Sequence, residues 1–89
     1  MDILQRIAEE AHQVNSSLEV MESTDDSGAD VREFIIRSTG DWFVLLSYDT
    51  NEEEAHAQLF SDSHEEVQLV GDLDNWVLPN LVSVLERLQ

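Results

Sequence analysis

One run of residues constrains this chain more than any other: Trp42-Phe43-Val44-Leu45-Leu46-Ser47-Tyr48. It is continuous and apolar, of strand length, and rich in aromatic and β-favouring side chains, so residues 42–48 are expected to form a central strand buried on both faces. The flanking segments supply its neighbours. Ser38-Thr39-Gly40-Asp41 is a turn before it, and Asp49-Thr50-Asn51 with Glu52-Glu53-Glu54 is a charged hairpin loop after it. Residues 55–60 then return as the next strand. A turn at Ser61-Asp62-Ser63-His64 leads to a further strand over 66–70, with Val67 and Leu69 facing inward.

The segments on either side complete an α+β reading. In residues 2–14, Ile3, Leu4, Ile7, Ala8, Ala11 and Val14 recur at three- and four-residue steps, the stripe of an amphipathic helix, and Asp2 suits its N-terminus. Residues 18–23 alternate, with Leu18, Val20 and Glu22 on one side and Glu19, Met21 and Ser23 on the other. That pattern, short and polar on its outward side, fits an edge strand. Thr24-Asp25-Asp26-Ser27-Gly28 is a loop by composition. The next segment has two readings. Val31, Phe34 and Ile35 give helical spacing, with Ser27 or Asp30 as cap, whereas Phe34-Ile35-Ile36 favours a strand over 31–37. Near the C-terminus, Leu81, Val84, Leu85 and Leu88 carry helical spacing behind Pro79, a suitable first helical residue, with Arg87 at the favourable end. Residues 76–78 fit either a short strand or the start of that helix. The whole chain, 1–89, reads as one domain: a small antiparallel sheet of four to five strands with a helix at each end of the sequence.

Charge decides which functions are open. Twenty acids face four bases, a formal charge of -16, and every base is an arginine: Arg6, Arg32, Arg37 and Arg87. Such a chain repels nucleic acid and anionic membranes, and it accelerates encounters with basic surfaces. Uniform acidity without lysine also characterises proteins adapted to high salt, where the acids serve solvation alone. A hydrophobic content of 42% is that of a folded protein. There is neither a bilayer-length apolar run nor a basic-then-apolar leader, and the expectation is a cytoplasmic protein. Without cysteine, disulfide and thiolate chemistry are excluded.

Catalytic and metal-binding patterns are missing from the sequence. His12, His56 and His64 fall on a helix, a strand and a turn, without metal-ligand spacing. Asp72-Leu73-Asp74-Asn75 opens like a calcium loop but lacks the central glycine and the terminal acid. The acid pairs Asp25/Asp26 and Glu52/Glu53/Glu54 read as solvated loop charge, there being little room for a substrate cleft. No enzyme activity and no cofactor are expected.

The ordered set of motifs in the middle of the chain resembles the uracil-DNA glycosylase inhibitor (Ugi) family of phages. Leu18-Glu19-Val20-Met21-Glu22-Ser23 looks like the family's first strand, which ends Gln-Glu-Ser. Asp30-Val31-Arg32-Glu33-Phe34-Ile35 follows at the same spacing and looks like its Glu-Val-Glu-Glu-Val-Ile helix. Val44, Tyr48-Asp49, the acidic loop, Leu59 and Ser61-Asp62-Ser63 look like its strand, Tyr-Asp, acidic hairpin and Thr-Ser-Asp-Ala turn, with one residue lost near Ser38. About half the chain is covered. The resemblance implies a DNA-mimic inhibitor forming a one-to-one complex with uracil-DNA glycosylase, monomeric when free, and it favours a short second helix over residues 31–36. It implies Glu22, Ser23, Asp30 and Asp62 as groups standing where phosphates would stand. It also implies a pocket for the enzyme's minor-groove-inserting side chain, lined by Met21, Val31, Phe34, Ile35, Val44 and Leu59. The chain departs from the family at the acidic 24–28 segment, at Ala57 in place of a methionine, and beyond Ser63. A DNA mimic aimed at a different defence protein, such as a CRISPR effector, a restriction enzyme or a nucleoid protein, accounts for the charge equally well.

Overall fold

The computed structural model describes residues 2–23 and 30–88. Helix α1 (Ile3–Val14) is followed by strands β1 (Glu19–Glu22), β2 (Val31–Arg37), β3 (Trp42–Asp49), β4 (Glu54–Ser61) and β5 (Gln68–Gly71). A π-helical turn (Leu73–Val77) then runs directly into helix α2 (Leu78–Arg87). The strands form one antiparallel sheet in sequence order, β1-β2-β3-β4-β5, so β1 and β5 are its edges and β3 its centre. Every connection joins spatial neighbours, the simplest route for a short chain.

Both helices lie on one face of the sheet. That inner face carries Phe34 and Ile36 of β2, Trp42, Val44 and Leu46 of β3, and Ala55, Ala57 and Leu59 of β4. These pack against Ile7 and Ala11 of α1 and Leu78, Leu81, Val84 and Leu85 of α2. The register aligns Phe34, Leu46, Ala57 and Leu69 in one row across the sheet and Ile36, Val44 and Leu59 in the next. Each large side chain buried here contributes about 1.5–3 kcal/mol by leaving water. The small Ala55 and Ala57 leave room for the close approach of the π-helical turn to β4.

The α+β architecture with terminal helices is the expected one, and β1 is an edge strand whose alternation matches the sequence pattern: Val20 and Glu22 inward, Glu19 and Met21 outward. Two expectations are corrected. The segment favoured as a short helix by resemblance is strand β2, paired along its whole length with β3. Its helical spacing is a coincidence of two apolar faces: Phe34 and Ile36 point to the core, while Val31 and Ile35 point away from it. Neither is β3 buried on both faces. Trp42, Val44 and Leu46 are buried, but Phe43 on the opposite face is 41% exposed, because among the described residues no second layer covers that side. The loop expected over 24–28, with Ser27 as a cap, lies outside the described residues.

At the C-terminal end, Trp76 belongs to the π-helical turn, and Leu78 rather than Pro79 opens α2. Asp72 caps the π turn: its Oδ1 accepts from the Asn75 backbone N–H at 2.8 Å, and its carbonyl accepts from Val77 N–H at 2.8 Å. Pro79, lacking an N–H, sits in the first turn of α2.

Candidate interaction face and its acidic ends

Strand pairing determines what the outer face presents. Odd positions of β2 and β3 and even positions of β4 and β5 point away from the helices. Across the middle of the sheet this sets Met21, Ile35, Leu45, Gln58 and Gln68 in one row. The neighbouring row is Glu19, Arg37, Phe43 and Phe60. On the other side stand Glu33, Ser47, His56 and Val70. The rings of Phe43 and Phe60 stack at 4.9 Å between centroids with 15° between planes, although neither is enclosed. Met21 (42% exposed) and Phe60 (37%) extend this into an open apolar surface, with Ile35 and Leu45 half-buried between them, and Val70 (51%) stands on the same face beyond Gln58, Gln68 and His56.

Acids gather at both ends of this face. At one end are Asp30, Asp49, Glu52, Glu53 and Glu54, contributed by the approach to β2 and the β3–β4 turn. Thr50 fastens these two together by donating its backbone N–H at 2.8 Å and its Oγ1 at 2.9 Å to the Asp30 carbonyl. Asp49 Oδ1 accepts the backbone N–H groups of Asn51 at 2.9 Å and Glu52 at 3.2 Å, which shapes the turn, and Glu53 closes it with φ +53°. At the other end lie Asp41, Asp62, Glu65 and Glu66. Ser63 Oγ donates to Asp41 at 2.5 Å, tying the β4–β5 connection to the β2–β3 turn. Glu66 accepts from Gln58 at 2.8 Å and Gln68 at 3.1 Å. β4 has eight residues, so the two acidic groups stand about 25 Å apart at about 3.3 Å per residue.

Among the described residues, the ion pairs are formed elsewhere. Arg6 pairs with Asp74 and Arg32 pairs with Glu22 and Asp2, all away from the open face. None of these pairs reaches Asp30, Glu52, Glu53, Glu54 or Asp62. Arg37 is the base of the open face itself.

The predicted site residues are therefore distributed as follows. Glu22, Ser23 and Asp30 sit at the same end of the sheet, and Asp62 at the opposite end. Ser23 continues the β1–β2 ladder through its N–H to the Glu33 carbonyl at 2.8 Å. Glu22 points inward and is engaged: Arg32 Nε and Nη2 donate to its two oxygens at 2.9 and 2.7 Å, and these hydrogen bonds hold its carboxyl below the usual glutamate range. The six pocket residues do not meet in one cavity. Phe34, Val44 and Leu59 are core beneath the helices, whereas Met21, Val31 and Ile35 are on the open face. A pocket between sheet and second helix cannot form where residues 31–37 are themselves sheet. Phe43, Leu45, Phe60 and Val70, which build most of the open face, were not singled out by the sequence. The run at 42–48 reads as buried on both faces, and the sequence does not show which face the helices leave uncovered.

The remaining titratable motifs have local structural roles. His12 Nε2 donates to the Leu18 carbonyl at 2.9 Å, securing the turn after α1, so that nitrogen carries the proton. His64 Nδ1 lies 3.1 and 3.2 Å from the hydroxyls of Ser61 and Ser63. Asp72 and Asp74, the start of the calcium-like run, are taken by the turn cap and by Arg6. Among the described residues no group of His, Asp or Glu has the geometry of a metal site, and no helix is long and apolar enough to cross a membrane.

Comparison with protein-family models, with curated proteins and with solved structures found no match.

Proposed function

We propose that this chain is an acidic inhibitor that occupies the DNA-binding groove of a DNA-handling enzyme in place of DNA, and that uracil-DNA glycosylase is its target. The observation that carries the reading is the disposition of carboxylates: two groups, each without an arginine partner among the described residues, at opposite ends of an uncovered face. A DNA-binding groove is lined with cations that normally meet phosphates and release their counterions on binding. Carboxylates held on a rigid sheet satisfy those cations, and the net charge of -16 steers the encounter. Charge alone gives fast but easily reversed binding. The open apolar face supplies the desolvated contact that slows dissociation.

The order of acidic and apolar motifs along residues 18–63 favours the glycosylase as target. The strand conformation of β2 favours the second reading, a DNA mimic directed at another DNA-binding protein, since the helix-lined pocket of the resembled family is replaced by open sheet. Titrating the protein into a uracil-excision reaction on uracil-containing duplex DNA separates the two. Complete loss of excision at one equivalent is expected. Full activity at large molar excess rejects the glycosylase as target.

A further inference from the structure

We propose that the open face of the sheet is the docking surface, and that its occupant is a protein segment whose apolar side chains are flanked on both sides by cationic ones. The proposal rests on the reading of this chain as a binder of basic partners, and it adds where the partner sits and what it must present. Of the five large hydrophobic side chains that are exposed among the described residues, Met21, Phe43, Phe60 and Val70 are on this one face. Phe43 and Phe60 hold a stacked geometry in the open, so the patch is ordered before anything covers it. A pre-formed apolar surface of this kind marks an interaction site rather than incidental exposure.

Charge selects the occupant. Both ends of the face are acidic, so a second copy laid face to face with its strands aligned sets acid against acid in either direction. Nucleic acid and anionic lipid are repelled outright. The complementary partner is apolar at its centre and carries arginine or lysine toward each end, about 25 Å apart, matching the span of β4. Arg37, beside Phe43 and opposite Glu19, breaks the symmetry of the face and gives it one preferred direction for an asymmetric occupant.

The test uses the intact protein labelled with nitrogen-15 and two synthetic peptides. One has three arginines at each end and Leu-Val-Phe-Leu in the centre; the other replaces the centre with Ser-Gly repeats. The first peptide is expected to shift the amides of Met21, Ile35, Phe43, Leu45 and Phe60 together with those of the acidic ends, and to bind at least about tenfold tighter than the second. The double variant F43T/F60T, which keeps β-branched residues at two solvent-facing strand positions, should lose that advantage and bind both peptides alike. Equal affinity of the two peptides for the wild-type protein, or shifts confined to α1 and α2, overturns the proposal. So do face amides that shift with protein concentration alone, which would assign the face to a second copy. Peptide binding on this face without inhibition of excision rejects the glycosylase and keeps the surface. Full inhibition by F43T/F60T keeps the glycosylase and rejects the surface.

Discussion

Arg32 grips Glu22 with two hydrogen bonds, 2.9 and 2.7 Å long, across the β1–β2 pair on the helix-covered face. The same guanidinium reaches Asp2 Oδ1 at 3.3 Å, and its carbon lies 5.3 Å from the centroid of the fully buried Phe34 ring. One arginine thereby ties the edge strand, the start of α1 and the end of the core together, and its planar fork suits the carboxylate in a way lysine would not. Because both partners are about a third exposed, solvent screens the pair, and Glu22→Gln should cost only about 0.5–1 kcal/mol in chemical denaturation. The pH dependence has a definite sign. Glu22 is held below its ordinary range, so the unfolded chain binds its proton more readily than the folded one. The contribution is complete above about pH 5 and disappears as the pH falls through the folded-state value. The difference in stability between wild type and Glu22→Gln should therefore shrink on acidification.

Self-repulsion acts on the whole molecule. With a formal charge of -16 and acids concentrated at two ends of the sheet, added salt screens more repulsion than attraction. The melting temperature should rise between 20 mM and 500 mM sodium chloride. A fall over that range would mean that the arginine-centred ion pairs, three among the described residues, outweigh the repulsion.

Gly71 closes β5 with φ +149°, and a Cβ built on it would stand 2.9 Å from Trp76 Cδ1. The indole of the π-helical turn thus lies against a backbone that only glycine allows. Gly71→Ala is expected to cost about 1–3 kcal/mol through overpacking and backbone strain. It should also change the emission of Trp76, which is half-exposed in the native fold.

Asp30 and Asp62 separate recognition from folding, since neither joins an ion pair among the described residues. Asp30→Lys and Asp62→Lys should leave the melting temperature nearly unchanged or raise it slightly. Each should weaken binding to the partner by about 2–5 kcal/mol if its carboxylate faces a buried cation. If the acids serve solvation alone, neither change alters binding. Glu22 is unsuited to this test, because reversing it also breaks the Arg32 grip.

Much of this fold could be read from the sequence, for reasons visible at particular residues. The α1 stripe, the β1 alternation and the spacing of Leu81, Val84 and Leu85 each report a local periodicity that the structure retains, and the continuous run at 42–48 reports the central strand but not its exposed face. β2 was ambiguous because Val31 and Ile35 are apolar on the uncovered face, so its period of two is masked by hydrophobic residues on both sides. Arg32 concealed the pattern further: a charged residue on the inner face contradicts binary patterning until its partner, ten residues earlier, is known. For the same reason the proposed pocket could not be judged from sequence. Phe34 and Ile35 are neighbours in the chain but lie on opposite faces, and only the placement of both helices on one side leaves Phe43 and Phe60 in the open.

The central claim is that carboxylates take the place of phosphates in a DNA-binding groove. Its most direct test is displacement: fluorescently labelled duplex DNA is bound to uracil-DNA glycosylase, this protein is added, and the anisotropy of the DNA is followed at two salt concentrations. The account predicts complete, stoichiometric release of the DNA, with an affinity that weakens as salt rises. Binding of the protein to the enzyme while the DNA stays bound, or no displacement at large excess, would contradict it.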